Sequence, residues 1–244
     1  MRENINEIED FIQNPTKLSR HLVEIVNKKK QKYDSLLRSK GFFENISINV
    51  KLRLKYLNGY KEICGFLKTF QVNGEGIVEL FKEFERIADK TAINNLLLAY
   101  AYLNEKNKSP PIITKDDEKL LYFNRLYNKK ISTKAFNNKY GHYALNPFEL
   151  SAKRFSEYTH NELLGMAQHS KNFVLKKHTE LKDYIAFENS KNLFPIYSAL
   201  REELKYHALY IIHDLRFELL KLEKRKNIEN IFNLSYREVH NLIK

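Results

Sequence analysis

A chain of 244 residues is long enough to bury a full hydrophobic core, as one large domain or two small ones. Hydrophobic residues at 43%, charged residues at 30%, and only 7 Gly and 5 Pro exclude collagen-like, mucin-like and Pro/Gly-rich disordered chains. So few turn-formers also argue against a sandwich or barrel, which needs a turn at every strand junction.

The helical period dominates from the start. Ile5, Ile8, Phe11 and Ile12 fall on one stripe of a short helix. Leu18, Leu22, Ile25, Val26, Tyr33, Leu36 and Leu37 then recur at three- and four-residue spacings between Pro15 and Gly41, which predicts a helix. Ile48, Val50, Leu52 and Leu54 alternate with period two, so 46–54 reads as a strand or short β-hairpin, yet Leu57, Tyr60, Ile63, Cys64 and Leu67 continue with helical spacing. Local pattern alone leaves both readings open. Two amphipathic helices follow over 77–88 and 92–103, then a loop at Ser109-Pro110-Pro111. Thr114 stands three residues before Asp117, a capping-box spacing that opens a helix through Leu120, Leu121 and Tyr127. Ser132 reads as the N-cap of a short helix that stops at Gly141. A further helix is expected over about 161–187, and Pro195 opens the last long one, with Leu200, Leu204, Ile211, Leu215, Leu219 and Leu222 inward. Ser235 and Glu238 form a second capping box for a final short helix. The predicted fold is an all-α multi-helix bundle: an N-terminal helical subdomain over 1–105, and over 106–244 a helical region with one irregular loop at 140–156, the two forming one compact unit.

The chemistry that this sequence omits narrows its function. Gly74-Glu75-Gly76 has no Gly-Lys-Ser/Thr after it, so no phosphate-cradling loop is present. His160, His169 and His178 are nine apart and alternate faces of a helix, whereas a two-His metal site wants i and i+4. Cys64 is the single cysteine, which excludes an internal disulfide and a thiolate cluster and fits a reducing compartment. With no signal-like apolar segment and no run near the ~20 apolar residues of a membrane span, the expected location is cytoplasmic, with no membrane partner. The net charge of +12 raises the case for a nucleic-acid partner. The excess is scattered, however, with Lys28-Lys29-Lys30 and Lys224-Arg225-Lys226 its densest runs, and base-reading motifs are missing. Nucleic acid is therefore not the expected partner.

The informative stretch runs from Tyr140 to Phe155, Tyr-Gly-His-Tyr-Ala-Leu-Asn-Pro-Phe-Glu-Leu-Ser-Ala-Lys-Arg-Phe. An irregular segment between helices that gathers a His, an acid and two bases is a place where function concentrates. On the helix beyond, Arg201 and Lys205 stand at i and i+4, a bipartite cation suited to a carboxylate or phosphate. The Tyr-Gly-His stretch, the preceding 127–136 segment, Ala199-Leu200-Arg201-Glu202-Glu203-Leu204-Lys205-Tyr206, and the tail 231–239 occur in the order found in the central helical region of phosphoenolpyruvate-synthase-like phosphotransferases. The chain resembles most the branch of capsule and surface-polysaccharide clusters that includes glutamine kinases. The likeness covers about 115–244; the first hundred residues share only helical character. Where that branch tends to carry Arg-Pro, this chain has Ala144-Leu145.

The resemblance implies a domain that binds a small acceptor, amino-acid-like or another small anion, within an ATP-dependent phosphotransferase. It implies His142, Glu149, Arg154, Arg201 and Lys205 as substrate-binding residues. The ATP-grasp and phosphohistidine domains would act in cis or in trans, and ATP and Mg²⁺ would belong to the complete enzyme, with no cofactor and no catalytic or metal-ligating residue in this chain. The isolated chain is accordingly expected to be inactive. The alternative function is a non-catalytic basic helical protein that binds partners or nucleic acid.

Overall fold

The computed structural model describes residues 15–38, 49–70, 76–104, 114–173 and 194–244. The short helix expected over 5–12, residues 46–48, the 109–111 loop and the stretch 174–187 lie outside the described residues. Among the described residues eight α-helices are formed: α1 Lys17–Arg38, α2 Asn49–Thr69, α3 Ile77–Asn104, α4 Lys115–Tyr127, α5 Thr133–Tyr140, α6 His160–Ala167, α7 Phe194–Lys226 and α8 Tyr236–Ile243. Short 3₁₀ turns occupy Phe155–Glu157, Gln168–Ser170 and Ile231–Asn233. Among the described residues there is no strand, only an isolated antiparallel bridge between Ala144 and Arg154. The all-α expectation therefore holds. No described helix is long and apolar enough to cross a membrane.

Three sequence expectations are corrected. Within its described part the helix expected over about 161–187 ends at Ala167 and gives way to the 3₁₀ turn Gln168–Ser170. Residues 49–54 are the opening turns of α2 and not a strand. A four-residue apolar alternation is too short to impose a pleat when helical spacing continues to Leu67 with no proline to interrupt it. The helices expected over 77–88 and 92–103 are one helix, α3, because Asp89-Lys90-Thr91 contains no Gly or Pro to end the first.

Helix α7 is the spine. It packs along α3, and α3 in turn carries α1; α2 and α4 also touch α7. Leu204, Ile211, Leu215, Leu219 and Leu222 of α7, Leu80, Phe84 and Ile87 of α3, and Leu18 and Leu22 of α1 are all buried. Each such leucine contributes about 1.5–3 kcal/mol by leaving water. Asn94, fully buried on α3, donates from Nδ2 to the Tyr197 carbonyl at 2.8 Å and so fixes the start of α7. His21 stacks on Tyr236, centroids 4.7 Å apart, and joins α1 to α8.

Helix ends follow their capping residues. The boxes at Thr114–Asp117 and Ser235–Glu238 are both formed, and Ser132 accepts from the Ala135 amide. Another box at Thr159–Glu162 starts α6. Helices α4 and α7 end on residues with left-handed backbone, Lys129 (φ 56°) and Asn227 (φ 52°). The amides of Lys130 and Ile228 then return to the carbonyls of Arg125 and Glu223, the hydrogen-bond return expected at such ends.

Candidate functional site: a self-anchored loop against the long helix

The loop begins where α5 ends. Gly141 keeps helical backbone angles (φ −58°, ψ −28°), so glycine is not needed there for a left-handed turn. It is needed for space: a Cβ would lie 2.5 Å from the Asn137 carbonyl oxygen and 3.1 Å from Ser156 Cβ. That close approach lets the loop shut on itself, the Phe155 amide donating to the Tyr143 carbonyl at 2.8 Å and the Ser156 amide to the Gly141 carbonyl at 3.0 Å.

Three side chains hold this loop in place. Arg154, fully buried, donates through its terminal nitrogens to the carbonyls of Pro147 (2.9 Å) and Glu149 (3.0 Å). Burial, and then the nearby Arg216 charge, lower its pKa to about 10. Glu149 reaches across to α1: its carboxylate accepts from the Thr16 amide (3.2 Å), the Thr16 hydroxyl (2.8 Å), the Ser19 hydroxyl (2.7 Å), and the Ser151 amide (3.1 Å) and hydroxyl (2.9 Å). Burial opposes ionisation there, but these hydrogen bonds outweigh it and hold the carboxyl below its ordinary range. A carboxylate at the first turn of a helix is also favoured by the helix dipole. Arg216 of α7 supplies the third anchor. It grips Glu157 at two points and donates to the carbonyls of Leu150 and Ser151, all at 3.0 Å.

His142 points to the other side, into α7. Its ring lies flat on Tyr210, centroids 3.6 Å apart, with Tyr143 and Tyr206 edge-on at 4.8 Å and His213 at 6.5 Å. The residue is buried, and its Nε2 finds no hydrogen-bond partner among the described residues. Burial first, then His213 and Arg154, lower its pKa to about 3. The Tyr206 hydroxyl donates to the Lys139 carbonyl at 3.2 Å, which ties the same stack to the end of α5.

A strip of charge borders this stack where α4 starts against α7. Glu202 accepts from the Lys115 amide at 3.1 Å, and Lys115 Nζ meets Glu203 at 2.7 Å while lying over the Tyr206 ring. Asp116 takes Lys119 at 2.7 Å and Lys205 at 2.8 Å, and these two cations overcome burial to hold its pKa at about 2. Arg201, one turn before Lys205, is 30% exposed, and among the described residues its acid contact is a long one, 3.5 Å to Glu202. The strip is nearly balanced in charge, with Arg201 least committed within it.

The five residues singled out from the sequence therefore divide. His142 packs on Tyr206 and Tyr210 of α7, while on that helix Lys205 pairs with Asp116 of α4 and Arg201 with Glu202; Glu149 turns to α1 and Arg154 into the loop's own carbonyls. Sequence reasoning missed Arg216 and Glu157, and it missed Tyr206 and Tyr210 as the surface on which His142 rests. Much of the basic surface is neutralised one helical turn away, as in Lys82–Glu79, Arg86–Glu83 and Lys221–Glu218. No protein-family model, curated protein or solved structure matches this chain. Fold and site define it as an all-α domain whose Gly-His loop is clamped onto one long helix.

Proposed function

We propose that this chain is a binding module for a small anionic acceptor, the helical domain of an ATP-dependent phosphotransferase of the phosphoenolpyruvate-synthase and glutamine-kinase type. The observation that carries the reading is Arg201: a partly exposed side chain, weakly engaged by Glu202, one turn from Lys205 on α7. A guanidinium with donors to spare matches a carboxylate or phosphate by paired hydrogen bonds. The Tyr-Gly-His loop and the Arg201–Tyr206 segment, which carry the resemblance, both meet the α4–α7 strip.

In this reading His142 and the tyrosines shape the apolar side of the acceptor site, and Arg201 with Lys205 takes its acid group. Glu149 and Arg154 serve the site by fixing the loop. ATP and Mg²⁺ enter through an ATP-grasp domain, and the phosphoryl group travels on a phosphohistidine domain, in cis or in trans.

The test is titration calorimetry of the full chain with glutamate, glutamine, pyruvate and inorganic phosphate. Saturable binding of one of them, weakened about 10- to 100-fold in Arg201→Ala as expected for loss of a charge-assisted hydrogen bond, supports the reading. Binding of duplex DNA that falls steeply with salt, with none of these anions bound, rejects it in favour of the basic interaction protein.

A further inference from the structure

His142 is placed where its neutral ring fits and its charged ring does not. It is 4% exposed. From α7 it faces Tyr206, Tyr210 and His213, and from its own loop Tyr143; the charges of Arg154 and His207 also act against its protonation. Among the described residues no carboxylate pairs with it. Glu157 is taken by Arg216, Glu149 by the α1 hydroxyls, and Asp116 by Lys119 and Lys205. The imidazolium would gain from the Tyr210 face, but it would stand unpaired in a dry site beside a second buried cation, and that cost is the larger.

The rest of the loop answers acid differently. Residues 147–153 and 157 hang on Glu149 and Glu157, whose carboxyls are held below the ordinary carboxylate range, so these anchors stay charged at pH 5, where a histidine released to water has already taken up its proton. Between Gly141 and Asn146 the described contacts to α7 are those of the His142 and Tyr143 rings.

We propose that His142 is an acid-operated latch: its protonation expels the ring from the Tyr206–Tyr210–His213 stack, and residues 141–146 lift from α7, parting the Tyr143–Phe155 and Gly141–Ser156 backbone bonds, while 147–153 and the Glu157–Arg216 pair remain anchored. The opening uncovers the faces of Tyr206 and Tyr210 next to Lys205. The chain thereby carries a pH control on access to the α4–α7 strip, and the latch stands whether or not the strip binds an acceptor.

Hydrogen exchange of the full chain at pH 7 and pH 5, corrected for intrinsic rates, tests this. Peptides within 141–146, and the Phe155 and Ser156 amides bonded to them, are expected to lose at least tenfold protection at pH 5, while 150–153 and 208–219 keep theirs. In His142→Phe, which keeps an aromatic ring that cannot be charged, 141–146 stays protected at both pH values. Because that variant could fail to fold, the His142 ring carbon is also followed by NMR in the unaltered chain, where it is expected to titrate together with the opening. Unchanged protection of 141–146, equal opening in a folded His142→Phe, or a ring that titrates with no opening overturns the proposal.

Discussion

Arg216 of α7 and Glu157 of the loop, 59 residues apart in sequence, form a two-point pair with both contacts at 3.0 Å. The remaining guanidinium nitrogen satisfies the carbonyls of Leu150 and Ser151. One side chain thus closes the acid and the backbone of the loop onto the spine of the fold.

Breaking that pair from one side leaves a charge with little access to water. Glu157→Gln or Arg216→Met is expected to cost about 3–5 kcal/mol, read by urea denaturation. The double variant should cost clearly less than the sum of the two. Additive losses would mean that the two residues act independently.

Glu149 ties the loop to the first turn of α1, so Glu149→Ala should destabilise by about 2–3 kcal/mol through the lost charged hydrogen bonds and loosen exchange at the start of α1. The acid limb of stability follows from the same groups. His142 and His213 have native pKa values of about 3 and about 4 against an ordinary 6.5. Their contribution is present above 6.5 and is lost as pH falls towards those values, by up to about 1.4 kcal/mol per pH unit for each. Glu149 and Glu157, depressed below 4.5, contribute above that pH and lose their share only below it. Denaturation midpoints should therefore decline in two stages, the histidines first. A flat profile between pH 6.5 and 4.5 would contradict the neutral burial of both histidines.

Gly141→Ala should cost about 1–3 kcal/mol by overpacking, because the added methyl meets the Asn137 carbonyl and Ser156. The loss should appear as reduced protection of 141–156, with α7 unaffected. A neutral substitution would show that the loop can shift to admit a side chain.

Lys129 adopts φ 56° at the end of α4 and is exposed. Lys129→Gly should raise stability by about 0.5–1 kcal/mol, since glycine takes that conformation without a steric penalty. A lower melting temperature would indicate that the lysine side chain contributes contacts outweighing its backbone strain.

The capping residues were the legible part of the sequence. Thr114 with Asp117, Ser132, and Ser235 with Glu238 mark helix starts because their hydrogen bonds are local, spanning three residues. The inward leucines of α7 were equally plain. The start of α2 was not, because a short apolar alternation fits both periods. The loop was recognisable as unusual, yet nothing local distinguishes a buried carboxylate satisfied by Thr16 and Ser19 from one facing a ligand. Those partners are 133 and 130 residues away. Arg216 was hidden for the same reason: on its own helix it reads as one more surface cation.

We propose that the strip between α4 and α7 receives a small anion at Arg201. An NMR titration of the full chain with glutamate, glutamine, pyruvate and phosphate tests it most directly, because it reports both binding and place. Saturable shifts confined to Arg201, Lys205, Tyr206 and the 141–146 segment are expected with one of these anions, abolished in Arg201→Ala while the remaining spectrum is unchanged. No saturable shift with any of them, or shifts that persist in Arg201→Ala, would contradict it.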